Sequence, residues 1–192
     1  MIKWKGKLTP TQGKDSVPEG HTLFIDAKST LSMAAAVVFV LLVAFAAFHL
    51  KMAVTGVKFD RMGFLLGLLL AIPFIAVHEY LHALCFTSGS SSREVHLFWT
   101  TGGFGALPIG AFSRRRYIVA LCVPAVVLGF LPLLGWLFVP ADYRMFSSVL
   151  YLFAVGSLAA CVADFSNLYR TIRYAPKGAQ IEVINMLVYW FR

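Results

Sequence analysis

The sequence predicts an all-α polytopic membrane protein with about four transmembrane helices and a small β-hairpin between the second and third. Three observations predict it. Hydrophobic residues make up 59% and charged residues only 14% of the chain, whereas soluble domains carry roughly a quarter charged residues. The apolar residues gather into four runs, each near the roughly 20 residues that a helix needs to cross a bilayer. Lysine and arginine fall mainly outside those runs. One soluble core could hardly hide so much apolar side chain, but four lipid-embedded helices would absorb most of it. The formal charge of +8 is therefore assigned to topology, and no nucleic-acid partner is expected.

The first segment, 1–30, is polar and contains Pro10, Gly13 and Pro18, with no signal-peptide apolar core before the first long run. The first helix, expected over 31–50, should then stay in the membrane and act as its own signal. Further helices are expected over 62–87, 117–139 and 146–168, which together with the first form a membrane-embedded domain spanning 31–172. Basic residues are unevenly placed. The N-terminal segment holds Lys3, Lys5, Lys7, Lys14 and Lys28, and the second loop holds Arg93, Arg114, Arg115 and Arg116. The C-terminal part adds Arg170, Arg173, Lys177 and Arg192. The first loop has only Lys51, Lys58 and Arg61, and the third only Arg144. The positive-inside rule then puts both termini and the second loop in the cytoplasm of a multi-pass protein of the cell membrane.

Within the second loop, 94–100 and 104–109 are short apolar or β-branched runs around Thr101, Gly102 and Gly103, the pattern of a hairpin. A solvent-side tie between two helices and an edge strand that contacts substrate are equally good readings of it. The last segment, 173–192, mixes Glu182 and Asn185 with Ile181, Val183, Ile184, Leu187, Tyr189 and Trp190. It is too short and polar to span, and reads as interfacial or as a small cytoplasmic strand. Cys85, Cys122 and Cys161 each lie inside an apolar run, so no disulfide framework is implied.

The chemistry concentrates in the second run, Ala76-Val77-His78-Glu79-Tyr80-Leu81-His82, which fits His-Glu-x-x-His on a segment that is helical for independent reasons. Positions four apart share a helix face, so both imidazoles can converge on one Zn²⁺ with Glu79 beside them as general acid/base. A lone histidine would more simply be a core residue. Three ionisable groups in five residues are different, because each is costly in hydrocarbon and such clusters mark function.

Catalytic zinc takes three protein ligands and leaves a fourth position open, so a third must come from elsewhere. The fourth run offers one acid, Asp164. Counting about 1.5 Å per residue, His78 lies roughly 24 Å down its helix and Asp164 roughly 27 Å down its own, in the same cytoplasmic third. Asp164 also reads as a helix-end carboxylate paired with Arg170 or Arg173. Asn167, one turn on, reads as orienting Asp164, binding substrate backbone, or simply ending the helix. Cys85 and Cys161 stand as reserve ligands or packing residues, and His96, Glu94 and Asp142 as loop candidates. His21 and His49 have no partner in sequence.

On these residues the chain resembles the site-2 protease class of intramembrane zinc metalloproteases, and most closely a family of short bacterial zincin peptidases of undefined function. The resemblance covers 62–167 and rests on His78, Glu79, His82, the turn at Gly102 and Gly103, Pro124 and Asp164. It implies a zinc held by His78, His82 and Asp164, with Glu79 catalytic; Asn167, Gly102 and Gly103 are read beside these as supporting the ligands or binding substrate. It also implies hydrolysis of peptide bonds of membrane-protein substrates near the cytoplasmic face. Asp164 is followed by Phe165 where the fuller members of that class often have glycine, and Pro124 by Ala125 and Val126 in place of their Gly-Pro-x-x-Asn signature.

Two other functions fit the same residues. One is a metal-binding scaffold or chaperone that keeps the site for structure, which would tolerate Glu79→Gln. The other is a metal-ion or proton transporter, which would call for further ionisable residues on the first and third helices, where almost none stand.

Overall fold

The structure, a computed structural model, describes residues 1–7, 17–25, 30–88, 94–100, 103–184 and 187–192. Among the described residues, three helices are long and apolar enough to cross a membrane: α1 (Thr30–Val54), α2 (Arg61–Thr87) and α3 (Arg114–Leu137). The run expected as one helix over 146–168 is instead two, α4 (Arg144–Ala160) and α5 (Val162–Tyr174), bent by 47°.

The bend has a local cause. The Cys161 amide donates to Leu158 O, three residues back, while the Cys161 thiol takes the carbonyl of Ser157 at 3.2 Å. A side chain has thus replaced one rung of the four-residue ladder, which is a recognised origin of helix kinks.

The expectation of an all-α fold is wrong. The described residues include strands β1 (Ile2–Lys7), β2 (Thr22–Ile25), β3 (Glu94–Thr100), β4 (Gly103–Ile109), β5 (Ala111–Ser113), β6 (Gln180–Ile184) and β7 (Leu187–Phe191). They build two sheets, ordered β1-β3-β4 and β2-β7-β6-β5. In the first, β1 runs parallel to β3, and β3 pairs antiparallel with β4. In the second, β7 pairs antiparallel with both β2 and β6, and β6 with β5. Each sheet recruits an N-terminal strand to partners far along the chain. Lys3 Nζ, for example, donates to Glu94 Oε2 at 2.7 Å across 91 positions. No local period announces such pairing, because a strand of four to six residues in a polar segment is recognisable only through its partner.

Close backbone approach positions α2. Gly63 and Gly67, one turn apart, face α4, and a Cβ on either would come within 2.6 Å of the carbonyl oxygen of Met145 or Val149. Gly156 returns the contact from α4, where an added Cβ would sit 3.1 Å from that of Ala71. Small residues at four-residue spacing let two apolar helices meet backbone to backbone. Arg116 holds the other end of α2, where its guanidinium donates to the terminal carbonyls of Cys85 (3.1 Å) and Phe86 (3.2 Å).

At the far end of α3, the fully buried Lys51 of α1 donates to Trp136 O at 2.9 Å, Val139 O at 2.7 Å and the Thr55 hydroxyl at 2.9 Å. A cation on the last carbonyls of a helix meets the negative end of its dipole.

Candidate metal centre

His78 and His82 lie one turn apart on α2, both buried, with their Nε2 atoms 3.0 Å apart. The bend at Cys161 brings Asp164, in the first turn of α5, against them. Its Oδ2 is 3.0 Å from His78 Nε2 and 3.3 Å from His82 Nε2. Glu79 stands to one side, its Oε1 4.0 Å from His78 Nε2.

Proton counting shows what this triangle requires. His82 Nδ1 lies 2.9 Å from the carbonyl oxygen of Ala120. A carbonyl only accepts, so Nδ1 carries a proton here and Nε2 is the nitrogen turned to Asp164. That carbonyl is available because Pro124, four residues on, has no N–H to donate to it. His78 Nδ1 lies 3.6 Å from Cys161 Sγ, whose own hydrogen points to Ser157 O, so the sulfur is left to accept from Nδ1–H. Two imidazole nitrogens and a carboxylate oxygen thus converge within 3.0 to 3.3 Å of one another. Asp164 Oδ2 is buried without a geometrically acceptable hydrogen-bond partner.

Such a convergence calls for a cation. Ligand atoms held tetrahedrally at about 2.0–2.1 Å from zinc sit roughly 3.3 Å apart, within a few tenths of an ångström of this triangle. The donor set of His78 Nε2, His82 Nε2 and Asp164 Oδ2 suits zinc, and the residues therefore fit the ion.

Beside the triangle is a cavity of about 190 Å³. Glu79, His82, Asp164 and Asn167 form its polar end. Strand β4 closes one side through Ala106, Leu107 and Pro108. Gly103 begins that strand, with φ of 123°, but does not line the cavity, and Gly102 lies outside the described residues.

Proline sets the polarity of β4. Pro108 opposes Val95, whose N–H is turned away to Met1 O, so this pair exchanges no hydrogen bonds. By alternation, the backbone groups of Ala106 and Phe104 also point away from β3. The Ala106 amide is accordingly turned toward the Glu79 carboxylate.

The remaining candidates lie elsewhere. His96 pairs with Glu94, His21 Nε2 is 3.1 Å from Glu182, and His49 packs on Phe45 and Phe48. Asp142 pairs with Lys58 at 2.9 Å on the surface. Cys85 offers its backbone carbonyl to Arg116. Sequence reasoning missed the Ala120 carbonyl and, although it offered the hairpin as an edge strand, could not say which backbone groups of β4 face outward. The first had a legible signal, a proline four residues beyond an otherwise ordinary helical alanine. The second depends on register and had none.

A protein-family model described as “putative zincin peptidase” matches residues 69–180. No curated protein and no solved structure matches the chain.

Proposed function

The chain belongs to this zincin peptidase family, and on that premise we propose that it is a membrane-embedded zinc metalloprotease cutting membrane-protein substrates near the cytoplasmic face. The single observation that carries the reading is the triangle of His78 Nε2, His82 Nε2 and Asp164 Oδ2, with sides of 3.0 to 3.3 Å. These three residues hold the ion, and Glu79 and Asn167 work beside it. A bound zinc supplies Lewis acidity, polarising a carbonyl and lowering the pKa of water. Glu79 takes the proton of the attacking water and returns it to the leaving amine. Asn167, on the cavity wall one turn from Asp164, offers an amide donor and acceptor to substrate backbone.

The membrane setting is supported by three helices of spanning length and by a bent fourth pair that together satisfies the same test. The distribution of basic residues supports termini in the cytoplasm. A transmembrane segment must unwind before its scissile carbonyl is accessible. The outward edge of β4 suits an extended strand, pairing it through Phe104 and Ala106 beside Glu79.

Elemental analysis of detergent-purified protein tests the reading. About one zinc per chain is expected in the wild type and in Glu79→Gln, with loss in His78→Ala and Asp164→Asn. Absence of zinc from folded wild-type protein sinks it. Function that survives Glu79→Gln points instead to a scaffold that keeps its metal for structure.

A further inference from the structure

The C-terminal strands reach the metal centre. Val183 of β6 and Val188 of β7 are cross-strand partners, and both line the 190 Å³ cavity that opens beside Glu79, His82 and Asp164. Phe86, Phe98, Tyr117 and Leu121, each with at most 5% of its surface exposed, line it too. The cavity thus joins polar groups, where bond cleavage is proposed, to a set of apolar side chains. Its volume falls below the roughly 300–1,000 Å³ of sites that enclose a whole small molecule. It suits one side chain.

The Phe98 wall is rigid. Its ring lies over Gly105, its partner in the β3–β4 ladder, so closely that a Cβ there would sit 2.6 Å from the ring. Phe98 therefore cannot settle any closer onto β4, and another wall defines how much room is left. That wall is the valine pair, which lies outside the residues 69–180 that the family match covers. The family assignment says nothing about it.

We infer that the Val183–Val188 pair sets specificity, making the cavity a pocket for a branched aliphatic side chain, of leucine size, next to the scissile bond. Two β-branched residues on a paired ladder hold few rotamers, so the wall is stiff and its position sharp. Among the described residues no charged side chain stands beside the valine pair in the cavity lining, so a carboxylate or ammonium group placed there is disfavoured by desolvation. This inference rests on the peptidase reading above.

The test uses the full chain in detergent, loaded with zinc, and a series of peptide hydroxamates that differ in one side chain: methyl, isobutyl, benzyl or carboxymethyl. In the wild type the isobutyl compound should bind about 10-fold or more tighter than the methyl compound, as a few buried methylenes allow. Carboxymethyl should bind more weakly than either. Val188→Phe should bring the isobutyl-to-methyl ratio to near one. Val183→Ala, a milder change if the first does not fold, should raise benzyl relative to isobutyl. Equal binding of methyl and isobutyl in the wild type, or ratios that both variants leave unmoved, overturns the assignment. No hydroxamate binding by the zinc-loaded wild type overturns the peptidase reading itself.

Discussion

Pro124 orients His82 through the backbone of Ala120: lacking an N–H, it leaves the Ala120 carbonyl free to accept His82 Nδ1–H at 2.9 Å. In Pro124→Ala the new amide competes for that carbonyl, and the imidazole loses the partner that fixes its tautomer. Zinc affinity, measured by competition with a chromophoric chelator, should fall about 10-fold or more. Thermal stability of the metal-free protein should not fall in parallel, since alanine is the better residue inside a helix. Unchanged affinity would show that the ring is held by something else.

Cys161 plays the corresponding part for His78, at 3.6 Å. Cys161→Ser keeps both a donor for Ser157 O and an acceptor for Nδ1–H, and should bind zinc nearly as the wild type does. Cys161→Val removes both and should weaken binding by about 10-fold. Nitrogen-15 spectra of labelled histidine should show His78 protonated at Nδ1 in the wild type and serine variant, with that signature blurred in the valine variant. The cobalt-substituted protein should lack a thiolate charge-transfer band, because the sulfur faces the nitrogen that is not turned to the ion.

Ala106 tests the β4 edge. Ala106→Pro deletes the amide turned toward Glu79 and leaves the β3 pairing intact, because that position does not bond to β3. Cleavage of a membrane substrate should drop by about 10²-fold with zinc content unchanged, a loss of the size that misplacing a reacting group produces. Full cleavage by this variant would rule out strand addition at that edge.

Glu94 gives the first sheet a pH dependence. Hydrogen bonds from Lys3 and His96 lower its pKa from 4.5 to about 2. A carboxyl depressed on folding stabilises above its unfolded pKa and ceases to do so as pH falls through its folded value. The tie between β1 and β3 should therefore hold at pH 5 and weaken progressively toward pH 2. Amide exchange in Ile2–Lys7 should accelerate over that window relative to α2, and Glu94→Gln should flatten the difference. A β1 whose exchange, corrected for intrinsic rates, ignores this window would show that the pair contributes nothing there.

The sequence by itself determined the features whose cause is local. Runs of apolar residues made helices, and the four-residue spacing of His78 and His82 put two imidazoles on one face, because 3.6 residues per turn is a property of the backbone alone. Asp164 could be named as a candidate from its depth. Its approach to 3.0 Å, however, follows from a bend at Cys161 that neither glycine nor proline announces. The two sheets, the outward edge of β4 and the Val183–Val188 wall were decided only in three dimensions. A strand carries a period of two and no address. Its partner is chosen by packing across as many as 91 residues, so Lys3 meets Glu94, and the last strands meet the metal centre, only once the helices have folded them together.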